Sequence, residues 1–235
     1  MCQHQPMSQN AHVVDPSPRG RIVDAAFALF AERGYGETSV DDIAAAAGVG
    51  RSTFFRHFGS KESVIFPDHD ALLASVEQRL RTTTESSALK AVADAVRIVL
   101  FHYVDEGERA RRRYRLTRAV PALRDRELVE VARYQRLFRR YINQWADGSE
   151  PGELRAEMMA AAVVAAHNRV LRQWLRGEQD DPHAAIDHTL GTVVATFSAP
   201  VTAEPVLLVV PEGVSLDAVA TAVQRHVADA VRDGA

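Results

Sequence analysis

The sequence is poor in features that anchor, secrete or cross-link a protein. It has one cysteine, Cys2, among 235 residues, so no disulfide can form within the chain, and no Cys/His spacing typical of a metal site is present. It has no run of about 20 apolar residues that would span a membrane. Its first 20 residues lack the basic start and apolar core of a secretory signal. These absences predict a cytoplasmic protein with no membrane association and no metal.

Signatures of catalysis are missing as well. The chain contains no nucleophile elbow, no Gly-rich phosphate loop and no paired carboxylates in a recognisable motif. His183 and His188 are five residues apart, a spacing that does not place both on one helical face. We therefore expect that the protein is not an enzyme and binds no cofactor.

The net charge of the chain excludes few classes of protein, but the charged residues are unevenly distributed. The net charge is −3, which does not by itself indicate a nucleic-acid-binding protein. Residues 17–66 contain six basic and six acidic residues, yet residues 49–61 contain three cations and no anion. A short basic segment beside acidic helices is what a compact DNA-reading unit needs.

Hydrophobic periodicity predicts three short helices near the N-terminus. The first carries apolar residues at helical spacing from Ile22 to Phe30 and ends at Gly34. Ser39 and Asp42 resemble a capping box that begins a second helix, residues 40–47. After Gly48-Val49-Gly50 a third helix covers residues 51–58. Two short helices joined by a three-residue turn are typical of a helix-turn-helix.

The rest of the chain is helical by pattern, so the predicted fold class is all-α. Ser60 is expected to cap a long fourth helix that reaches Thr84. Five further helices are predicted over residues 89–107, 108–120, 124–145, 153–176 and 182–197. A short strand, 205–211, and a last helix, 216–231, follow Pro200. The predicted divisions are a flexible arm, 1–18; a DNA-binding domain, 19–66; a ligand-binding and dimerisation domain, 67–199; and a C-terminal extension, 200–235.

Residues 19–62 resemble the N-terminal domain of the TetR family of regulators. The resemblance rests on D-A-A-x-x-L-F, R-G-Y-x-x-T-S-V, D-D-I-A-x-x-A-G-V and F-x-x-F-x-S-K-E in this order and spacing. It implies an all-helical homodimer with two DNA-binding heads, formed through the last helices of the C-terminal domain. It also implies a palindromic double-stranded DNA operator that is released when a small molecule binds the larger domain.

The helix-turn-helix supplies the candidate DNA contacts. Donors at the start of the third helix suit base edges in the major groove, and cations or backbone donors suit phosphates. The candidates are Thr38, Ser39, Arg51, Ser52, Thr53, Arg56, His57 and Lys61, with Lys61 at the family's phosphate-binding position. Two positions depart from the family: Phe55 replaces a common tyrosine and so lacks its hydroxyl, and Gly50 replaces a Ser or Thr cap.

Polar residues within apolar helices are the candidate ligand contacts. His167 and Asn168 interrupt the apolar helix at 153–176, and a buried polar group without a partner costs about 1–3 kcal/mol. His167 is therefore expected to bond to a ligand, a neighbouring side chain or the other subunit. His102, Tyr103, Phe138 and Trp145 are further candidates, although each aromatic also fits a plain core position.

Three interpretations stay open at this point. The basic run from Arg109 to Arg115 fits either a solvated helix face, which we favour, or a site for an anionic group such as the phosphates of an acyl-CoA. The sequence does not decide between repressor and activator. A degenerate protein-interaction module without DNA binding is the alternative function, and salt-dependent DNA binding would separate it from a regulator.

Overall fold

The computed structural model describes residues 17–83 and 87–198, and within these ranges all regular secondary structure is helical. This confirms the all-α fold class. None of the helices in this part of the chain is long and apolar enough to cross a membrane. Nearly all of the predicted arm, and the strand and helix predicted after Pro200, lie outside the described residues.

The first three helices form the head, which we define as residues 17–66. The helices are α1 (Pro18–Arg33), α2 (Val40–Ala46) and α3 (Arg51–His57). The capping box is confirmed: Asp42 N donates to Ser39 Oγ at 3.1 Å, and Ser39 N donates to Asp42 Oδ2 at 2.9 Å. Between α2 and α3 the chain turns at Gly48, whose φ of +65° favours glycine.

The head packs around aromatic rings. Its buried apolar residues include Ile22, Phe27, Phe30, Ile43, Phe54, Phe58 and Phe66. Leu123, from much later in the chain, is also part of this core, with Leu116 and Val120 packed against it. The packing of the head therefore extends beyond residue 66, and the division into residues 19–66 and 67–199 stays a prediction.

The predicted fourth helix begins in the wrong place. Residues Glu62–Val64 form only a 3-10 turn, and α4 runs from His69 to Arg81. Asp68, not Ser60, caps α4 by accepting from the Ala71 amide at 3.0 Å. The reason is Pro67, which has no amide to continue a helix and biases Phe66 away from helical dihedrals.

The remaining helices make up the effector half, which we define as α4 to α9. They are α5 (Ala88–Glu106), α6 (Glu108–Ala119), α7 (Pro121–Asn143), α8 (Glu150–Leu175) and α9 (Pro182–Ser198). α7 starts three residues earlier than predicted because Pro121 occupies its first turn, where a missing amide costs nothing. A second core, rich in Ala, Val and Leu, lies among α4, α5, α7, α8 and α9.

Candidate nucleic-acid interface and effector cavity

One side of α3 is fixed in the core and the other is open. Phe54 and Phe58 are buried, at 0% and 4% exposure, whereas Arg51, Ser52 and Arg56 are exposed. Phe55 is also exposed, at 43%. The core side holds the helix rigidly, so the open side presents two arginines and a hydroxyl at a defined position.

Arg51 is tethered to α2. Its Nη1 lies 2.6 and 2.7 Å from the two carboxylate oxygens of Asp41, and its guanidinium lies 5.3 Å from the centre of the Phe55 ring. Both partners of the ion pair are well exposed, and exposed pairs contribute about 0–1 kcal/mol. Arg51 can therefore exchange Asp41 for a base or a phosphate at little cost, and Phe55 gives its guanidinium a surface on which to rest.

Arg56 and His57 differ in how free they are. Arg56 is exposed and has no hydrogen-bond or ion-pair partner in the described part of the chain. His57 is half-buried, and its Nε2 is a buried atom with no protein partner there. His57 lines a polar cleft beneath the head together with Arg19, Arg126 and Arg133, so it faces this cleft rather than standing free on the surface.

The prediction for Thr38 is not supported by its position. The side chain is 1% exposed, and its hydroxyl donates to the Gly34 carbonyl at 2.8 Å. This hydroxyl cannot reach a phosphate, so we correct the prediction and remove Thr38 from the candidate set. Ser39 is exposed, but its Oγ already caps α2.

Lys61 is engaged within the head. Its Nζ donates to the carbonyls of Tyr35 and Thr38 at 2.7 and 2.9 Å, and it lies 4.1 Å from the centre of the Tyr35 ring. An ammonium group has three donors, so one donor remains for a phosphate. Lys61 is thus a structural link between the α1–α2 loop and the 3-10 turn, and a phosphate contact would be an additional role.

A cavity lies inside the effector half, among α5, α7, α8 and the first residue of α4. Its volume is about 50 Å³, enough for a few water-sized groups. Six apolar side chains, of valine, leucine and phenylalanine, line it. The polar residues that line it are His69, Tyr103, Glu127, Glu130, Tyr134, His167 and Asn168.

Four of the six predicted ligand residues meet in this cavity. Tyr103, Phe138, His167 and Asn168 all line it. His102 does not: it lies on another side of α5, with Nε2 4.0 Å from Glu106 Oε1. Trp145 is 53% exposed and lines a separate groove near Ser87 and Arg155. We correct both predictions: neither residue lines the cavity, since His102 leaves α5 on another side and Trp145 lies beyond the end of α7.

The structure adds residues that the sequence did not suggest. His69, Glu127, Glu130 and Tyr134 complete the polar lining. His69 Nδ1 lies 3.1 Å from the Tyr134 hydroxyl, and burial lowers the pKa of His69 to about 4. Only the acidic side chains interrupting the apolar pattern of α7 hinted at this lining.

His167 is the most deeply buried ionisable group of the cavity. Its side chain is 6% exposed, and burial lowers its pKa to about 4, so it is neutral near pH 7. Burial also raises the pKa of Tyr103 to about 12 and that of Glu127 above its usual range. The cavity disfavours charge wherever no partner compensates for it.

The basic run has two sides: Arg112 and Arg115 are exposed, as a solvated face would be, whereas Arg109 and Arg113 turn towards the protein. Arg113 is buried, and its Nη1 and Nη2 donate to both Glu106 oxygens at 2.6 and 2.8 Å, while Nε donates to the Ile65 carbonyl at 2.5 Å. Burial opposes ionisation of Glu106, but Arg113 holds the pKa of that carboxyl below its usual range. Arg109 donates to Asp24 of α1 at 2.9 Å. Both arginines tie α6 to the head.

Arg113 also adjoins the cavity. Its guanidinium lies 5.3 Å from the centre of the Tyr103 ring, and Tyr103 lines the cavity. A continuous path of contacts therefore runs from the cavity wall through Arg113 to the Ile65 carbonyl at the end of the head.

Two family comparisons together span most of the described residues. Residues 22–66 match the bacterial regulatory proteins of the tetR family, and residues 86–198 match the MftR C-terminal domain. MftR of Mycobacterium tuberculosis, named for transcriptional regulation of mycofactocin biosynthesis, is 30% identical over 161 residues, 67% of this chain and 79% of MftR. The regulator TcmR of Streptomyces glaucescens is 30% identical over 173 residues, 69% of this chain and 75% of TcmR.

Solved structures agree on the fold. The complex of SmeT with triclosan matches with a TM-score of 0.55 at 20% identity, over 83% of this chain and 99% of that one. NalD, a repressor of a multidrug efflux pump in Pseudomonas aeruginosa, matches with a TM-score of 0.51 at 22% identity, over 76% of this chain and 94% of that one. With a helix-turn-helix head, a helical second half and relatives that are regulators rather than enzymes, the chain belongs to the TetR family of DNA-binding transcriptional regulators.

Proposed function

We propose that the protein is a dimeric repressor that leaves a palindromic operator when a small, largely apolar effector enters the cavity of the effector half. The observation that carries the DNA part of this proposal is the open side of α3. Arg51, Ser52 and Arg56 are exposed there on a helix that buried phenylalanines hold in place. An α-helix fits the major groove, and arginine pairs well with guanine edges.

We assign a proposed DNA contact to each side chain from its exposure and from the hydrogen bonds it already makes. Arg51, Ser52 and Thr53 contact bases from the start of α3, and Arg56 contacts a phosphate or base. The third donor of Lys61 contacts a phosphate, and Ser39 brings the N-terminus of α2 towards the backbone. His57 contributes at the edge of the interface.

The proposed release step uses the contacts around Arg113. An effector that displaces Tyr103 would disturb the buried Arg113–Glu106 pair and, through it, the bond to the Ile65 carbonyl. A dimer binds its operator only when its two heads are spaced to enter successive major grooves. A small shift of each head relative to its effector half would change that spacing, and the heads could no longer bind both grooves at once. A lipid or acyl-CoA-like molecule is one candidate effector, since valine, leucine and phenylalanine side chains line part of the cavity.

The proposed dimer forms through α8 and α9. Leu154 and Met158 of α8 are exposed at 59% and 53%, and α9 exposes the small residues Ala184, Gly191 and Ala195. Exposed apolar residues beside small ones suit close helix packing between two copies.

The test is fluorescence anisotropy of the full chain with a labelled duplex from upstream of its own gene, across a salt series. We expect tight binding that salt weakens. Arg56→Ala should lower affinity about tenfold and reduce the salt slope by about one. Arg56 has no protein partner in the described residues, so its loss leaves the fold intact.

The matched control is Arg136→Ala on α7, an exposed arginine equally without a partner there. It should bind DNA as the unaltered chain does. If the upstream duplex is not bound, selection from random duplexes follows. Failure of both with a folded dimer would favour the alternative, a helical protein-interaction module without DNA binding.

A further inference from the structure

The cavity contains a hydrogen-bond acceptor that the protein leaves unused. His167 Nδ1 lies 3.1 Å from Asn168 Oδ1. An amide oxygen only accepts, so Nδ1 carries the proton of the neutral ring and Nε2 keeps a bare lone pair. Nε2 is buried and bonds to no protein group among the described residues. Its lone pair is therefore open to a donor that the described residues do not supply.

Two carboxylates line the same cavity. Glu130 Oε2 accepts from Arg133 Nη1 at 2.9 Å, which compensates part of its charge. Glu127 has no hydrogen-bond or ion-pair partner in residues 17–83 and 87–198. Glu127 lines the cavity but its side chain is exposed, and partial burial of its carboxyl raises its pKa and so disfavours its ionised form. A nearby cation would lower the free energy of that form.

No cation in the wall provides this compensation. Neither Lys nor Arg is among the described residues that line the cavity. Of the arginines around the cavity, Arg113 is paired with Glu106 and the Ile65 carbonyl and Arg133 with Asp70 and Glu130. The exposed Arg172 opposes the rise in the pKa of Glu127 but forms no ion pair with it. The hydroxyls of Tyr103 and Tyr134 can donate or accept, so they do not discriminate between ligands.

We infer that the effector is an apolar molecule bearing a hydrogen-bond donor, above all a protonated amine, which His167 Nε2 and the carboxylates of Glu127 and Glu130 select. This rests on the proposed function for the cavity as an effector site, and it narrows the effector class. A free fatty acid would place its carboxylate against two carboxylates and a lone pair. An acyl thioester would fit only with its hydrocarbon tail inside.

The size of the cavity supports a small donor group rather than a large one. A volume of about 50 Å³ is far below the roughly 300–1,000 Å³ of typical ligand pockets. Only the donor end of a larger effector fits without movement, and its apolar body must widen the gap between α7 and α8. Binding of the effector and the helix displacement that releases DNA then occur together.

The test compares three probes with the same chain length: octylamine, octan-1-ol and octanoate. Calorimetric titration of the full chain near neutral pH should rank their affinities in that order. Octylamine should bind about tenfold or more tightly than octanoate, the factor for one charge-assisted hydrogen bond. Glu127→Gln should weaken octylamine about tenfold and leave octan-1-ol unchanged.

The matched control is Asp125→Asn, an exposed carboxylate on the same helix that does not line the cavity. It should bind all three probes as the unaltered chain does. Octanoate binding as tightly as octylamine, no binding of any probe, or equal effects of Glu127→Gln and Asp125→Asn would each overturn the inference. Operator binding of the unliganded chain, measured in parallel by anisotropy, separates any of these outcomes from failure of the DNA-binding proposal.

Discussion

The interiors of the head and of the effector half are built differently. Five phenylalanines fill the core of the head; all are buried, and Phe54 is fully buried. The core of the effector half is mostly Ala, Val and Leu and encloses a cavity with a neutral histidine and acidic side chains in its wall. The first arrangement fixes the position of α3. The second leaves space and an unpaired hydrogen-bond acceptor for a reversibly bound ligand.

This difference assigns rigidity to the head and the response to a ligand to the effector half. Close-packed rings resist displacement because any movement forfeits many contacts at once. An aliphatic core with a polar cavity can repack at lower cost, and its unmet acceptor gives a ligand something to bind. The contacts of Arg113 with Tyr103, Glu106 and Ile65 lie where the two kinds of interior meet.

The largest expected effect comes from emptying the core of the head. Phe54→Ala should lower the free energy of unfolding by about 3–5 kcal/mol, because the ring is fully buried and its neighbours are too tightly packed to fill the void. Urea denaturation followed by circular dichroism measures this loss. DNA binding should fail at the same time, since α3 loses its anchor.

Phe138→Ala is the matching change in the effector half. Phe138 is equally buried but lines the cavity. The space it leaves joins an existing polar cavity that can admit water, so the loss should fall below that of Phe54→Ala. An equal or larger loss would contradict the view that this interior repacks more readily.

The next largest effect tests the junction itself. Arg113→Met should cost about 3 kcal/mol, because Glu106, only 15% exposed, keeps a buried charge without its partner. Chemical denaturation measures this cost. The double variant with Glu106→Leu should recover most of the stability, since no charge then remains buried.

The response of that double variant decides what the pair does. If Arg113 links Tyr103 to the head, the folded double variant should bind the operator, but octylamine should lower its operator affinity less than it does for the unaltered chain. Unchanged release with restored stability would show that the pair is structural only.

The helix pattern could be predicted from the sequence because its signals are local. Ser39, Gly48 and Gly107 mark helix ends through caps and positive φ, and each stands where the structure ends or begins a helix. The fourth helix begins later than the Ser60 capping signal predicts, because Pro67 prevents a helix from running through it. The family membership followed from a contiguous stretch and needed no tertiary information.

The site was less predictable because its chemistry depends on packing between distant segments. The roles of Thr38 and Lys61 depend on which carbonyls lie within reach of them. Four cavity residues were predicted as polar or aromatic side chains within apolar helices, but His69 and Glu127 are more than 50 residues apart and line one cavity only after α4 packs on α7. No periodicity in a single sequence encodes that contact.

The pH dependence of stability should distinguish the cavity from the head. The pKa of His167 falls to about 4 in the folded state, below its usual 6.5, so the unfolded chain takes up its proton first. Stability is therefore full above pH 6.5 and decreases as pH falls towards 4, by up to about 1.4 kcal/mol per pH unit for each such histidine. His69, whose pKa is also about 4, adds a second contribution.

Thermal or urea unfolding between pH 7 and 5 measures this slope before most carboxylates protonate. His167→Leu should roughly halve it, and His69→Leu should remove the other part. A slope that neither variant changes would mean that the buried histidines keep their protons in the folded state.

The smallest expected effect lies in the head. Ser39→Ala removes the hydroxyl that accepts from the Asp42 amide and should cost about 1 kcal/mol, as N-cap losses do. Ser52→Ala is the control, because Ser52 is exposed inside α3 and makes no capping bond. Its effect on unfolding should be close to zero, while its effect on operator affinity reports on base contact. Ser39→Ala should instead weaken operator binding only as far as it loosens α2. If both variants lowered stability alike, the capping bond would not be what orders the start of α2, and the rigidity of the head would rest on its phenylalanine core alone.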